Sequence, residues 1–153
     1  MALSATDAAL SYVGFVEAEK LPSPQFVATA PNAILLETVR QLNAYFEGKL
    51  QVFDLPLLPE GTAFQQRVWQ EIVKVPYGKT ASYLEMAIRL GDEKCIRAAA
   101  SANGKNPIGI IIPCHRVIGK NGSMVGYAGD LWRKKWLLQH ELQFSPQEVG
   151  VLF

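Results

Sequence analysis

Apolar residues recur in two different rhythms along the first third of the chain. Short apolar segments at 1–5 and 10–16 flank a polar turn, which predicts a β-hairpin. Farther on, apolar positions recur every three or four residues across 34–46, the spacing of an amphipathic helix. Asn32 stands at the N-cap position of this run and Gly48 follows it, so we expect a helix between the two.

The region after this helix indicates where the chain divides. Residues 50–55 are apolar enough for a short strand, and residues 56–61 contain two prolines and a glycine, as linkers often do. We therefore predict a domain boundary at residue 61, with an α/β N-terminal domain at 1–61 and a second domain at 62–153.

The second domain begins with signals for three helices. Thr62 is positioned to cap a helix whose apolar residues share one face, and the sequence Ser82-Tyr83-Leu84-Glu85 has the form of a capping box. The helix opened by that box closes at Gly91, Asp92 caps the next helix, and Gly104 closes it. Two short helices joined through Gly-Asp predict a helix-turn-helix.

A wing and a final helix are expected after the helix-turn-helix. The apolar run 110–112 predicts a buried strand that stops at Pro113, because proline lacks an N–H and disfavours helix at the preceding residue. The pair Asn121-Gly122 is a strong hairpin signal, and a hairpin after a helix-turn-helix forms a wing. The last predicted helix covers about 130–143.

Cys114 is the clearest candidate for chemistry, since it follows Pro113 and precedes His115 and Arg116. The thiolate is the reactive form of cysteine, and neighbouring histidine and arginine cations stabilise it. The alternative is a packed core thiol, because free cysteine is among the most buried residue types. Two strongly polar neighbours favour a nucleophile over that alternative. For Cys95 we expect a structural role.

Length and composition define the class of protein. The chain has 153 residues, 49% of them apolar and 19% charged, which suits one or two small folded domains. It contains no apolar run of membrane-spanning length and no basic, then apolar, leader, so we expect a cytoplasmic protein without membrane contact. A structural zinc site would need nearly all of its two cysteines and two histidines, so we predict no metal.

Charge is distributed unevenly between the two predicted domains. Residues 1–61 contain three basic and seven acidic side chains, whereas residues 62–153 contain twelve basic and seven acidic ones. A basic C-terminal half suits a polyanionic partner such as nucleic acid, although an imbalance of this size is more often a solvated surface.

The sequence Ile112-Pro113-Cys114-His115-Arg116-Val117 resembles the active-site signature of the O6-alkylguanine-DNA alkyltransferases, also called methylated-DNA–protein-cysteine methyltransferases. The likeness extends over about 62–141 and includes several separate motifs. It implies an α+β fold: a small ribonuclease-H-like N-terminal domain, here shortened, and a helical winged-helix C-terminal domain. It also implies DNA repair by direct reversal. One molecule takes one alkyl group from O6-alkylguanine, or from O4-alkylthymine, onto its own Cys114 and needs no cofactor.

The same resemblance assigns the reacting groups. Cys114, His115 and Glu141 match the family's triad, in which the histidine acts as base towards the thiol through a water and the glutamate orients the histidine. Tyr83 matches the tyrosine that helps to rotate the target nucleotide and hydrogen-bonds the flipped guanine. From the residues alone, Tyr83 is equally a half-buried aromatic at a helix start. Glu141 on its own is more often a solvated neighbour of His140.

The second helix of the predicted helix-turn-helix is the candidate DNA contact, because its small side chains allow close approach to a sugar–phosphate wall. In the resembled family this helix enters the minor groove of double-stranded DNA. The family's arginine, matched by Arg97, fills the space that the rotated nucleotide leaves. An ion pair with Glu93 is the alternative for Arg97. The further predicted DNA contacts are Ser82, Ala98, Ser101 and Lys105.

Matching positions also outline a substrate pocket. The resemblance makes Tyr127 one wall and directs the backbone N–H of Ala128 at the guanine O6, beside glycines that allow close approach. The remaining predicted pocket residues are Asn106, Pro113, Val117 and Gly129. Asp130, Ala100 and Ser101 depart from the family, in which glycine is common at these positions. The Asp130 carboxylate is expected to cap the last helix, to narrow the pocket or to repel phosphate.

Two other functions are open at this point. A protein that binds alkylated bases without repairing them would explain the DNA-binding features, but the alkyltransferase-like proteins have another residue in place of Cys114. A Cys-His hydrolase of acyl substrates would explain the thiol, but not a winged helix beside it. We expect a monomer whose partner is double-stranded DNA containing alkylated bases.

Overall fold

The N-terminal hairpin forms as its alternating pattern predicts. In the computed structural model, which describes residues 1–16, 32–124 and 130–146, strands β1 (Ala2–Ala5) and β2 (Leu10–Gly14) pair antiparallel. Beyond the hairpin, helix α1 (Ala33–Phe46) begins at Asn32, whose side-chain oxygen accepts a hydrogen bond from the backbone N–H of Leu35 at 2.9 Å. Both predicted elements are confirmed.

The predicted strand at 50–55 is wrong. These residues are not in a strand, and the side-chain amide of Gln41 satisfies both backbone groups of Asp54, at 2.9 Å each. A side chain of α1 thus supplies the hydrogen bonds that a neighbouring strand would have given. Just after this segment, Leu57 forms a single bridge to Leu10 of β2.

Local capping signals account for two of the four α-helices described in the second half, and no side chain caps the first turn of the other two. Thr62 and Gln65 form a complete capping box at the start of one helix, and Ser82 and Glu85 form another. A short 3-10 turn, Glu93–Cys95, separates the two helices of the helix-turn-helix. The helices are α2 (Ala63–Val73), α3 (Tyr83–Arg89), α4 (Ile96–Gly104) and α5 (Leu131–Phe144).

The run 110–112 is buried as expected, but it is not a strand. Ile110 has a positive φ of 68°, and the N–H of Ile112 reaches back to the carbonyl of Ile108 at 3.0 Å, so the backbone turns tightly. An unbroken apolar run indicates burial but does not separate an extended segment from a coiled one. The residues instead fill the core in successive turns.

The predicted wing is described only in part. Strand β4 (Val117–Ile118) pairs parallel with β3 (Ala81–Ser82), and the turn after it has Asn121 at φ 60° and Gly122 at φ 78°. The tight turn expected from Asn-Gly is therefore present. The rest of the predicted hairpin falls on 125–129, outside the described residues.

One hydrophobic core includes residues from both sides of position 61. Leu10, Val13 and Tyr45 belong to the same buried cluster as Ile72 and Ile108. Strand β2 also lies directly against the segment before the candidate nucleophile, since the N–H of Val13 donates to the carbonyl of Pro107 at 2.9 Å. The N-terminal elements therefore support the loop that carries Cys114.

The fold is α+β, as the sequence predicts, and the described residues form more helix than strand, with two small two-stranded sheets. Within the described ranges, no helix has both the length and the apolar character needed to cross a membrane.

Candidate active site

Cys114 begins a buried 3-10 turn, Cys114–Arg116, that follows Pro113. Pro113 has φ −82° and ψ 62°, and the N–H of Cys114 donates to the carbonyl of Ile112 at 2.8 Å, which closes an inverse γ-turn around the proline. The thiol residue is only 6% exposed. Cys114 is thus held by a proline-centred turn, where the sequence had predicted a strand end.

Asn106 shapes the loop around this thiol. Its side-chain amide donates to the carbonyl of Ile112 at 2.8 Å and accepts from the N–H of Ile108 at 3.0 Å. Burial raises the pKa of the Cys114 thiol, while the Asn106 side chain and the charge of Lys134 act in the opposite direction. The predicted pocket residue Asn106 is therefore beside the thiol, and it also holds the loop in shape.

His115 and Glu141 form a hydrogen-bonded pair inside the protein. His115 Nε2 lies 2.6 Å from Glu141 Oε1, and both side chains are fully buried. Burial lowers the pKa of His115, against the opposing effect of Glu141, so the ring is neutral with its Nε2 proton directed at the carboxylate. Among the described residues, none hydrogen-bonds His115 Nδ1. That nitrogen keeps a free lone pair and can act as a base.

Arg116 has a different partner from the one its sequence position suggested. Its guanidinium donates to both oxygens of Glu141, at 2.8 and 2.9 Å, and to the carbonyl of Val75 at 2.7 Å. Burial would raise the pKa of Glu141, but the hydrogen bonds from His115 and Arg116 outweigh it and hold the pKa at about 2. The expectation that Arg116 stabilises the thiolate directly is wrong, because its charge is used on Glu141.

Two more donors complete the surroundings of Glu141. The backbone N–H of Gly78 donates to Oε2 at 3.3 Å, and the hydroxyl of Tyr45 donates to Oε1 at 2.8 Å. Tyr45 belongs to α1, far from Glu141 in the sequence. Sequence reasoning missed this residue, and its one signal was its place on the apolar face of a predicted helix.

Tyr83 is buried at the start of α3 and is linked to the thiol loop through Asn103. The side-chain amide of Asn103 donates to the hydroxyl of Tyr83 and to the carbonyl of Cys114, both at 3.3 Å. Burial raises the pKa of Tyr83 to about 12, so its hydroxyl keeps its proton at neutral pH. Tyr83 therefore lies close to the thiol loop, while its predicted role towards a flipped guanine stays a prediction.

Lys134 is a second residue that sequence reasoning missed. It is fully buried, donates to the carbonyl of Val117 at 2.6 Å, and lies 5.9 Å from the ring centre of Tyr83. Burial lowers the pKa of Lys134 to about 8, and the nearby Cys114 acts in the opposite direction. The available signal was its spacing from Leu137 and Glu141, three and seven residues on, which puts all three on one face of α5.

Helix α4 presents three of the predicted DNA-contacting residues on its exposed side, and a fourth, Lys105, follows its last residue. Arg97, Ala98, Ser101 and Lys105 are exposed, whereas the opposite side, including Asn103, is buried. The alternative ion pair between Arg97 and Glu93 does not form in the described structure. Ser82 is half-buried, and its hydroxyl oxygen caps α3 by accepting from the N–H of Glu85 at 3.1 Å.

Only some of the predicted pocket residues lie within the described part of the chain. Pro113 and Val117 are buried beside Cys114, while Tyr127, Ala128 and Gly129 lie outside the described residues. Asp130 stands at the N-cap position of α5 with φ 70°, but its side chain accepts no capping hydrogen bond. It pairs instead with Arg133 at 3.1 Å, so the expected capping role of Asp130 is wrong.

The described ranges contain no cluster of three histidine, cysteine, aspartate or glutamate side chains that could hold a metal ion. Cys95 and Cys114 are both free thiols, and Cys95 is half-buried just before α4. The site accordingly offers a thiol, an imidazole base, a carboxylate and a phenol, all supplied by the chain itself. That set suits nucleophilic attack by sulfur with proton transfer.

Comparison with known proteins extends this picture. The profile of a family described as 6-O-methylguanine DNA methyltransferase, DNA binding domain, matches residues 63–143. A methylated-DNA–protein-cysteine methyltransferase of Methanosarcina barkeri is 53% identical over 69% of this chain and 66% of its own length. One of Methanosarcina acetivorans is 44% identical over 91% of this chain and 89% of its own. The matched segment 63–143 contains Tyr83, Cys114 and Glu141, but not Tyr45.

A solved structure agrees with the sequence relatives. Mycobacterium tuberculosis OGT in complex with DNA superposes on this chain with a TM-score of 0.82 at 42% identity. The superposition covers 94% of this chain and 87% of that one, so it includes the N-terminal elements as well as the helix-turn-helix.

Proposed function

The chain belongs to the 6-O-methylguanine DNA methyltransferase family and repairs DNA by alkyl transfer, and from this premise we propose that Cys114 is the acceptor of the alkyl group. The observation that carries the proposal is the buried His115–Glu141 pair beside the thiol, with a bond of 2.6 Å. The other thiol, Cys95, is half-buried just before α4, and no described residue offers it a pair like that of His115 and Glu141. The substrate we propose is O6-alkylguanine in double-stranded DNA, with O4-alkylthymine as a second substrate.

The reaction starts with the proton of the Cys114 thiol. His115 Nδ1 is buried without a hydrogen-bond partner among the described residues and takes this proton through a bridging water. The sulfur then forms a bond to the alkyl carbon while the bond from that carbon to guanine O6 breaks, and the electron pair stays on the purine. The proton returns to the purine, so that thiol and alkylguanine become thioether and guanine.

Tyr83 assists the leaving purine. Its hydroxyl accepts a hydrogen bond from Asn103, and a pKa of about 12 keeps its own proton on the oxygen at neutral pH, so that it is a donor towards the leaving purine in this proposal. Asn106 and Lys134 assist the sulfur, because both favour the thiolate against the effect of burial. No step in this sequence needs a metal or an organic cofactor.

DNA binding is assigned to the exposed side of α4. A base in a duplex hides its O6-alkyl carbon within the stack, so the nucleotide must rotate out before sulfur can reach it. We assign this extrusion to Arg97, which projects from a helix whose neighbouring exposed residues, Ala98 and Ser101, are small enough for the minor groove. The relative that superposes on this chain was crystallised in complex with DNA, which supports DNA as the partner.

Single use follows from the product. A thioether is not readily hydrolysed, so each molecule acts once. The proposal also includes a monomeric protein that acts in the cytoplasm. Residues 62–153 carry the reacting and DNA-contacting groups in this proposal, and we assign residues 1–61 to an N-terminal domain that shares its core with them.

The test is the location and number of alkyl groups after reaction with duplex DNA containing O6-methylguanine. We expect one methyl group per molecule on the peptide with Cys114 and none on the peptide with Cys95. Cys114→Ala should bind DNA and transfer nothing, while the matched control Cys95→Ala should transfer normally. Methyl groups on Cys95, repeated turnover as in a hydrolase, or binding without transfer by the parent would each overturn the proposal.

A further inference from the structure

Tyr45 is the one residue of α1 whose side chain hydrogen-bonds the candidate triad in the described structure. Its hydroxyl donates to Glu141 Oε1 at 2.8 Å, and the whole residue is buried. The same oxygen accepts from His115 Nε2 at 2.6 Å and from Arg116 Nη2 at 2.9 Å. Tyr45 and His115, the base of the proposed reaction, therefore donate to the same oxygen of Glu141.

The backbone of Tyr45 is fixed to the same helix as the carboxylate. His140 Nε2 bonds the carbonyl of Tyr45 at 2.8 Å, and the two rings lie 5.3 Å apart. Because His140 directly precedes Glu141, α1 and α5 are tied together at this point by two hydrogen bonds. A displacement of α1 would therefore move the hydroxyl and the carboxylate as one unit.

The hydroxyl of Tyr45 acts as a donor across the whole working pH range. Burial and the charge of Glu141 raise the pKa of Tyr45 far above its usual value, so it does not ionise beside the carboxylate. A permanent donor on Oε1 fixes the orientation of that oxygen. It also withdraws part of the negative charge that would otherwise hold the proton of His115.

We propose that Tyr45 is a positioning residue for alkyl transfer, which sets the orientation and the basicity of His115 by acting through Glu141. This inference rests on the proposed role of Cys114 as acceptor and extends it. It places a determinant of the reaction rate outside residues 63–143, in the N-terminal region.

The matched pair of variants is Tyr45→Phe and Tyr77→Phe. Both rings lie in the same cluster, with centres 6.1 Å apart, and both substitutions remove only a hydroxyl. The hydroxyl of Tyr77 is buried, and no described residue hydrogen-bonds it, so it serves as the control. The readout is the single-turnover rate on free O6-benzylguanine, which needs no DNA and no extrusion, measured against pH per folded molecule.

Tyr45→Phe should slow the reaction near neutral pH by roughly tenfold, because Glu141 Oε1 loses the donor that fixes its orientation and the His115 ring is then held less well towards the thiol. The acid limb of the variant's pH–rate profile should move to higher pH by about half a unit or more, because a carboxylate with one donor fewer holds the proton of His115 more tightly. Tyr77→Phe should keep the parent profile. A merely structural role for Tyr45 would lower the folded fraction without moving the pH profile.

A double substitution tests whether the effect passes through the base. In a His115→Ala background, which leaves the pairing of Glu141 with Arg116 in place, adding Tyr45→Phe should change the rate by less than about twofold. A full additional loss there, or a Tyr45→Phe profile identical to that of Tyr77→Phe, overturns the positioning role. Failure of the parent to alkylate Cys114 at all would instead overturn the proposed function, so the two failures are distinguishable.

Discussion

His115 and Glu141 share a 2.6 Å hydrogen bond between two side chains that are fully shielded from solvent. The guanidinium of Arg116 already compensates the negative charge of Glu141, because it donates to both carboxylate oxygens. The carboxylate is therefore less able to favour a charged imidazole, and burial lowers the pKa of His115.

The resting state that follows is a neutral pair. With the pKa of Cys114 raised and that of His115 lowered, a thiol stands beside an imidazole, and the thiolate with its imidazolium is the minor form. Proton transfer then belongs to the reaction itself. The sequence had suggested a thiolate stabilised by two adjacent cations, and the structure replaces this with one base and one more distant ammonium.

Lys134 supplies that ammonium, which leads to a prediction about the thiol. Lys134→Met should lower the thiolate fraction of Cys114 below pH 8 by roughly tenfold, because a buried positive charge favours the thiolate. The effect should be present below pH 8 and fade above it, since the pKa of Lys134 is about 8 and the charge is lost there. The measurement is the pH dependence of Cys114 alkylation by iodoacetamide.

Lys135→Met is the matched control for this prediction. Lys135 is the next residue on α5 and is exposed, so the same change of charge should leave the pH dependence of Cys114 alkylation unchanged. Equal losses of Cys114 alkylation in the two variants would mean that general surface charge, and not the buried ammonium, controls the reactivity of Cys114.

Arg97 allows a separation of DNA extrusion from chemistry. Arg97→Ala should slow repair of O6-methylguanine in duplex DNA by roughly tenfold or more, because nothing then fills the space left by the rotated nucleotide. Its rate on free O6-benzylguanine should equal that of the parent, since a free base needs no rotation. Arg40→Ala, which removes an exposed arginine of α1, is the control and should change neither rate. Equal losses on both substrates would contradict the extrusion role.

Elements defined by local signals were predictable from the sequence. Asn32, Thr62 and Ser82 each cap the helix they were expected to cap, because an N-cap needs only a side chain and the next turn of backbone. The pairing of His115 with Glu141 was anticipated through the resemblance to a family. The residues alone favoured a solvated glutamate beside His140.

What the sequence missed depends on distant contacts. Tyr45 hydrogen-bonds Glu141 across 96 positions of the chain, and no local sequence signal near either residue indicates the pairing. Arg116 was assigned to its neighbour Cys114, but a long side chain in a tight turn reaches the carboxylate on α5. The prediction of a strand at 110–112 was wrong for another reason: a continuously apolar run has no periodicity that would separate a strand from a turn.

The buried carboxylate of Glu141 should also control stability in acid. Its pKa in the folded protein is about 2, against 4.5 for an ordinary glutamate, so the folded state binds this proton less readily than the unfolded chain. The resulting stability is fully present above pH 4.5 and is lost as the pH falls towards 2. The loss for the parent should be on the order of 3 kcal/mol in the free energy of unfolding.

Glu141→Gln tests this directly, with Glu37→Gln as its control. The glutamine variant should be less stable than the parent at neutral pH, because Arg116 is then buried without a counter-charge, and its stability should vary far less between pH 4.5 and 2.5. Glu37 also has a pKa of about 2, but it pairs with Arg40 on the surface, where about 0.5 M salt screens the interaction. Urea unfolding in that salt should therefore give Glu37→Gln the acid slope of the parent. If Glu141→Gln retained that slope as well, the acid sensitivity would arise from carboxylates other than Glu141.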